Sequence, residues 1–107
     1  EYLRRPLAGS LGPGEYLVVA ADAQNGAPDG VALVDTASGA TLDALSYEGA
    51  IAALVEGTPL PAEVADSNTV TGSLARIPDG GDTNDAATDW RFTTTVTPGA
   101  ANVETAP

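Results

Sequence analysis

The sequence of 107 residues contains no histidine, cysteine, methionine or lysine, and each absence excludes a class of function. Without histidine there is no imidazole base, no Ser-His-Asp triad and no His-ligated metal. Without cysteine there is no disulfide framework, no thiolate nucleophile and no structural zinc site. No apolar run approaches the roughly 18 residues that a membrane-spanning helix needs. These absences favour a protein that is not an enzyme and binds no cofactor.

Positive charge is scarce, because four arginines face fifteen acidic residues and the formal net charge is −11. Such a surface repels phosphate groups, so we expect no direct binding to nucleic acid or to anionic membranes. Arg4 and Arg5, next to Tyr2, form the only basic pair, which is too small for a nucleic-acid site. The acidic surface favours solubility and weak association with cations.

Large apolar residues are also few, since 20 of the apolar residues are alanine. They occur in short runs separated by Gly, Pro, Asn and Asp, without a long helical pattern. Residues 1–11 have the pattern of a short strand or extended segment, and residues 51–57 fit either a short helix or a strand. The clearer strand patterns are 15–21, 31–35, 41–49, 73–77 and 90–96. Short strands with Gly/Pro turns predict an all-β sandwich or barrel.

Turn signals define the clearest local prediction, a β-hairpin in which residues 31–35 and 41–49 are joined by a short segment containing Gly39. The preceding loop, residues 22–30, has two turn dipeptides, because glycine accepts positive φ without steric cost. These predicted turn residues are Asn25, Gly26, Asp29 and Gly30.

The predicted core is anchored by aromatic residues of the last strand. Trp90 and Phe92 share one face of that strand, and a single Trp usually fills the middle of an immunoglobulin-like sandwich. The other predicted core residues are Val18, Leu33 and Leu42.

The polar loop 78–89 concentrates carboxylate and amide oxygens, which are the ligands that hard cations such as calcium prefer. The candidate ligands of a calcium site are Asp79, Asp82, Asn84 and Asp85. An EF-hand register starting at Asp82 fails, because Ala86 stands where an acidic residue is required. The alternative is a solvated loop whose Asp and Asn side chains stabilise their own turns.

Catalytic pairs are not indicated. Asp43 and Glu48 would be the minimal acid and base of a glycosidase, but their odd spacing puts them on opposite faces of a regular strand. Ser10, Ser46 and Ser73 have no histidine partner and no nucleophile-elbow motif. We therefore predict no catalytic residue.

Four segments occur in a distinctive order: QNGAPDGVALVD (24–35), ALSYEG (44–49), SLARIPDGGDTNDAATDW (73–90) and FTTTVTPGAAN (92–102). Together they resemble the bacterial lamin-tail domain, and the resemblance covers roughly residues 1–102. It implies an immunoglobulin-like β-sandwich. The chain begins at Glu1 and enters the pattern near its third or fourth strand, so we expect a sandwich that lacks its first strands. Residues 103–107 are then predicted to be a flexible C-terminal tail.

The resemblance also implies a function, that of a non-catalytic structural or interaction module in a larger secreted or cell-surface bacterial protein. One alternative is an accessory appendage of an extracellular nuclease or phosphatase whose catalytic domain lies outside this chain. Another is a weak calcium-dependent adhesion module. Because an incomplete sandwich has an unpaired edge, we expect it to contact a protein partner, the rest of the parent chain, or a second copy.

Overall fold

The computed structural model describes residues 3–21, 28–65, 67 and 69–107, and its regular structure is mostly strand. The two short helical segments are a 3-10 helix at Ala52–Leu54 and the single turn α1 at Ala86–Asp89. None of the helices in these residues is long and apolar enough to cross a membrane. The strands are β1 (Asp29–Val34), β2 (Thr41–Tyr47), β3 (Ser73–Arg76) and β4 (Trp90–Thr93). They form two antiparallel sheets, β1-β2 and β3-β4, which agrees with a small all-β fold.

The predicted hairpin is confirmed as β1 and β2, which pair from Asp29 opposite Tyr47 to Leu33 opposite Asp43. Its turn is closed by backbone bonds, since the Asp35 N–H donates to Ala40 at 2.8 Å and the Gly39 N–H donates to Asp35 at 2.7 Å. Gly39 has a φ of +76°, which explains the glycine at this position.

The predicted turn at Asp29 and Gly30 is wrong, because both residues lie at the start of β1. Gly30 is required there for close packing rather than for a turn. A Cβ atom on Gly30 would come within 2.6 Å of Leu54 Cδ1 and 2.9 Å of the Leu45 carbonyl oxygen. The other predicted turn dipeptide, Asn25-Gly26, lies outside the described residues.

The C-terminal segment lies alongside the end of β4. The Thr94 N–H donates to the Thr105 carbonyl at 2.9 Å, and the Thr105 N–H donates to Thr93 Oγ1 at 2.9 Å. The Thr93 hydroxyl in turn donates to the Val103 carbonyl at 2.6 Å. The segment predicted to be a tail is therefore attached to the second sheet as far as Thr105.

Residues 3–21, here called the N-terminal arm, form no strand and contain a turn at Pro13 and Gly14. The strand predicted at 15–21 is therefore wrong. Among the described residues, the arm's backbone makes one backbone–backbone hydrogen bond, from Glu15 to Gly12 at 3.1 Å. A side-chain contact ties the arm to the rest of the chain, since the Tyr16 hydroxyl donates to Asp79 at 2.7 Å. Strand-forming residues need a partner strand, and within residues 3–21, 28–65, 67 and 69–107 the arm has none.

The core is small and half polar. Its buried apolar residues are Ala44, Leu45, Ala75 and Ala86, and its buried polar residues are Asp29, Ser46, Asp89 and Thr93. Trp90 and Phe92 are only partly buried.

Three predicted core residues lie at the surface instead. Val18 and Leu42 are each 62% exposed and Leu33 is 47% exposed, so their assignment to the core is wrong. Leu33 shares one face of β1 with Val31, because successive side chains of a strand alternate. In the described part of the chain, that face is not closed by a second sheet.

Candidate functional site

The side chain of Arg76, at the end of β3, joins the two sheets. Its Nη2 atom donates to both carboxylate oxygens of Asp43 on β2, at 2.9 and 2.8 Å. The guanidinium lies over the Trp90 ring, 4.7 Å from the ring centroid. Only 11% of the Arg76 side chain is exposed, so the pair is shielded from solvent on the arginine side.

The loop 78–89 closes over the same guanidinium. Arg76 Nη1 donates to the Gly81 carbonyl at 2.9 Å and lies 3.4 Å from Asp89 and 3.5 Å from Asp82. Glu56 completes the group at 3.9 Å from Nη2. One arginine is therefore surrounded by four carboxylates. We call these five residues the Arg76 cluster: Asp43, Glu56, Arg76, Asp82 and Asp89.

Asp89 is the buried member of the Arg76 cluster and fixes the loop. It accepts hydrogen bonds from the Thr83 N–H at 2.8 Å and the Thr83 hydroxyl at 2.7 Å. Burial alone would raise the pKa of Asp89, but the Thr83 hydrogen bonds and the charge of Arg76 outweigh it and lower the pKa. Asp89 is therefore held in the charged form that Arg76 requires.

Glu56 reaches the cluster because its segment pairs with the end of the loop. The Ala86 N–H donates to the Glu56 carbonyl at 2.8 Å, and the Ala87 N–H donates to the Thr58 carbonyl at 3.1 Å. Burial, followed by the charges of Asp43 and Asp82, raises the pKa of Glu56, although Arg76 opposes this. The four carboxylates of the Arg76 cluster thus carry more negative charge than the single arginine neutralises.

This raised pKa gives a pH prediction for Glu56→Gln. A carboxylate whose pKa is raised in the folded state destabilises the fold when it is charged. The contribution of Glu56 to stability should therefore rise as the pH falls from 7 toward 4.5, the ordinary pKa of a glutamate side chain. The variant should melt higher than the wild type at pH 7 and gain less on acidification. Thermal unfolding at a series of pH values measures both effects.

The control for this prediction is Glu63→Gln, which removes the same charge from an exposed side chain. This variant measures the change in melting temperature that comes from the lower net charge alone. Equal melting profiles for Glu56→Gln and Glu63→Gln would show that repulsion within the Arg76 cluster is not the cause.

The four predicted calcium ligands do not converge on one point. Asp79 accepts hydrogen bonds from the Tyr16 hydroxyl and, at 2.8 Å, from the Asn102 N–H. Both hydrogen bonds lower the pKa of Asp79, and the one from Asn102 has the larger effect. Asp85 accepts from the Thr58 N–H and the Thr88 hydroxyl. Asp82 contacts Arg76 and also accepts from the Asn84 N–H at 3.1 Å. The Asn84 and Thr88 contacts are the local turn contacts that the alternative predicts, whereas the contacts with Tyr16, Asn102 and Thr58 join distant segments. Calcium binding stays a prediction.

The carboxylates that do converge come from distant parts of the sequence. Asp43, Glu56 and Asp82 each place one oxygen within 4.8 Å of the others, the one such group among the described residues. The sequence analysis considered Asp43 only with Glu48, a pair that it rejected, and it did not identify Glu56. A signal was present, since one arginine in the apolar strand 73–77 needs an acidic partner. Arg76 itself already supplies a cation to this group.

A second candidate surface is a groove of about 990 Å³ between the N-terminal arm and the β1-β2 sheet. We call it the apolar groove. Six of its large apolar lining residues are between 41% and 59% exposed, whereas Leu45 is buried and Trp90 is partly buried. Arg4 and Arg5 also line the groove. The exposed apolar residues are Leu3, Leu7, Val19, Val31, Leu33 and Val34.

The surface area of the whole chain shows that this exposure is unusual. The accessible surface is 7158 Å². The scaling of surface with mass gives about 5,500 Å² for a folded monomer of 10.6 kDa. The chain therefore exposes on the order of 1,700 Å² more than a self-contained domain of its mass.

Comparisons with protein-family models, curated proteins and solved structures found no match. The resemblance to the lamin-tail domain stays a prediction that rests on the four sequence segments.

Proposed function

We propose that this chain is a non-catalytic interaction module of a larger secreted or cell-surface bacterial protein, and that it binds protein through the apolar groove. The observation that carries this proposal is the exposure of the apolar face of β1-β2, where Val31 and Leu33 are 59% and 47% exposed. Soluble monomers rarely expose a contiguous apolar patch of more than a few hundred Å² unless it binds something.

The secreted bacterial context of the proposal rests on the lamin-tail resemblance. The sequence composition adds support for a non-catalytic role, since the chain has no histidine or cysteine to serve as base or nucleophile. In the Arg76 cluster, the carboxylates of Asp43 and Asp89 are occupied by Arg76 and Thr83. Their contacts serve to join the two sheets, which leaves the apolar groove as the surface for binding.

Nile red, a neutral dye that fluoresces in apolar surroundings, tests whether the apolar groove is a binding surface. We expect the wild type to enhance its fluorescence at low ionic strength and Leu33→Asp to abolish most of the enhancement. Val96→Asp is the matched control, because Val96 is 46% exposed and does not line the groove. Equal dye responses from Leu33→Asp and Val96→Asp, with both variants folded by circular dichroism, would overturn the proposal.

A further inference from the structure

We propose that the occupant of the apolar groove is a second copy of this chain, packed face to face about a two-fold axis. In this dimer, residues 16–20 of each arm lie along the groove of the other copy, and Val19, which also lines the groove of its own chain, lies where the two copies meet. The inference rests on the proposed function, because it names the partner of the same surface. Three observations carry it: the complementary surfaces present on one chain, the surface area, and the positions of the charges.

Both halves of such an interface are exposed on the same molecule. Residues 16–20 have the sequence Tyr-Leu-Val-Val-Ala, which is typical of a strand, and their four large side chains are between 41% and 62% exposed. None of their backbone N–H groups donates to another backbone group among the described residues. An apolar segment of strand-forming residues whose backbone N–H groups are not paired is a template for pairing with another chain. A two-fold axis lets each arm meet the groove of the partner.

The surplus surface of the whole chain is large enough to include the interface of a stable dimer. A standard protein–protein interface buries about 800 Å² on each partner. The surplus of on the order of 1,700 Å² over a self-contained monomer exceeds that requirement. Covering the groove and the arm together would thus bring the exposed surface toward the value expected for the mass of the chain.

The charges permit this contact although the chain carries a net charge of −11. Two of its four arginines, Arg4 and Arg5, line the groove together with Asp35 and Asp43. The lining of the groove is therefore balanced in charge, and it does not repel Glu15, which precedes the arm segment that would enter the partner's groove. The remaining surfaces of the two copies repel each other, and salt screens this repulsion, since the Debye length falls from about 10 Å at 0.1 M to about 3 Å at 1 M.

Sedimentation equilibrium over a range of sodium chloride concentrations tests the dimer. We expect a monomer–dimer equilibrium whose dissociation constant falls by at least tenfold as salt is raised from about 0.05 M to about 1 M. Leu33→Asp and Val18→Asp should be monomeric throughout. Val96→Asp, with the same added charge outside the groove, should dimerise like the wild type. Amide hydrogen exchange should slow in residues 16–20 only under dimerising conditions.

The outcomes separate this inference from the proposed function. If the wild type remains monomeric at every salt concentration but Leu33→Asp still abolishes Nile red binding, the groove is a binding surface and the second copy is not its occupant. If the dimer forms equally in Leu33→Asp and Val96→Asp, the copies associate elsewhere and the inference is wrong. If Leu33→Asp changes neither dye binding nor association, both proposals fail.

Discussion

Replacing Arg76 with methionine is expected to lower the free energy of unfolding by about 3–5 kcal/mol, the usual cost of removing one partner from a buried ion pair. Methionine keeps the length and apolar contact of the side chain over Trp90 but removes its charge and donors. The carboxylates of Asp43 and Asp89 would then remain close together without their counterion. Because a domain of this size is marginally stable, a loss of this magnitude removes a large part of its stability.

Denaturant unfolding measures this effect, with Arg91→Met as the matched control. Arg91 is also partly buried, but its guanidinium donates to the carbonyl oxygens of Ala87 and Trp90 rather than to carboxylates. Its loss should cost about 1.5–3 kcal/mol, the value of one hydrogen bond that involves a charged group. Arg76→Lys should fall between the two, since lysine lacks the planar donor set that contacts Asp43 and Gly81 together. Similar losses for Arg76→Met and Arg91→Met would show that the Arg76 cluster does not join the sheets.

Gly57→Ala is the second change for which a large loss of stability is expected. Gly57 has a φ of +63°, a left-handed conformation that costs an L-residue about 1–2 kcal/mol. A Cβ atom there would also lie 2.7 Å from the Asn84 carbonyl oxygen and 2.9 Å from Asp85 Cα, and backbone atoms cannot move aside cheaply. We expect a total loss of about 3 kcal/mol or more, because overpacking adds its own cost of about 1–3 kcal/mol.

Gly39→Ala separates the two contributions for this prediction. Gly39 has a similar φ of +76°, but nothing lies within 4 Å of the position of its Cβ. It should therefore lose only the conformational part, about 1–2 kcal/mol. Thermal and denaturant unfolding of both variants give the difference. If the two losses are equal, residues 56–58 do not pack against the loop as closely as the structure places them, and the position of Glu56 in the cluster would be wrong.

The hairpin was predictable because its information is local. Two runs of strand-forming residues, a short connection and Gly39 specify β1 and β2 without reference to the rest of the chain. Its boundary was less predictable, since Asp29 and Gly30 have the residue types of a turn. Contact with Leu54 and Leu45 explains the glycine at position 30, and that contact is not visible in a local pattern.

The Arg76 cluster was not predictable from local patterns, because its acidic residues lie at positions 43, 56, 82 and 89. Fifteen acidic residues offer many pairings for each arginine, and only the fold selects among them. The prediction of a strand in the N-terminal arm was wrong for a related reason. Residues 15–21 have strand-forming side chains, but strand formation requires hydrogen bonds from a neighbour, which the described part of this chain does not supply.

The composition of the core has a thermodynamic consequence. In the part of the chain that the structure describes, four of the eight buried residues are polar, and three of the four apolar ones are alanine. The heat capacity change of unfolding grows with the apolar surface that becomes exposed and shrinks with the polar surface. This chain alone should thus have a small heat capacity change and a flat dependence of stability on temperature. Association through the apolar groove would bury more apolar surface and give the curve the stronger curvature of an ordinary globular domain.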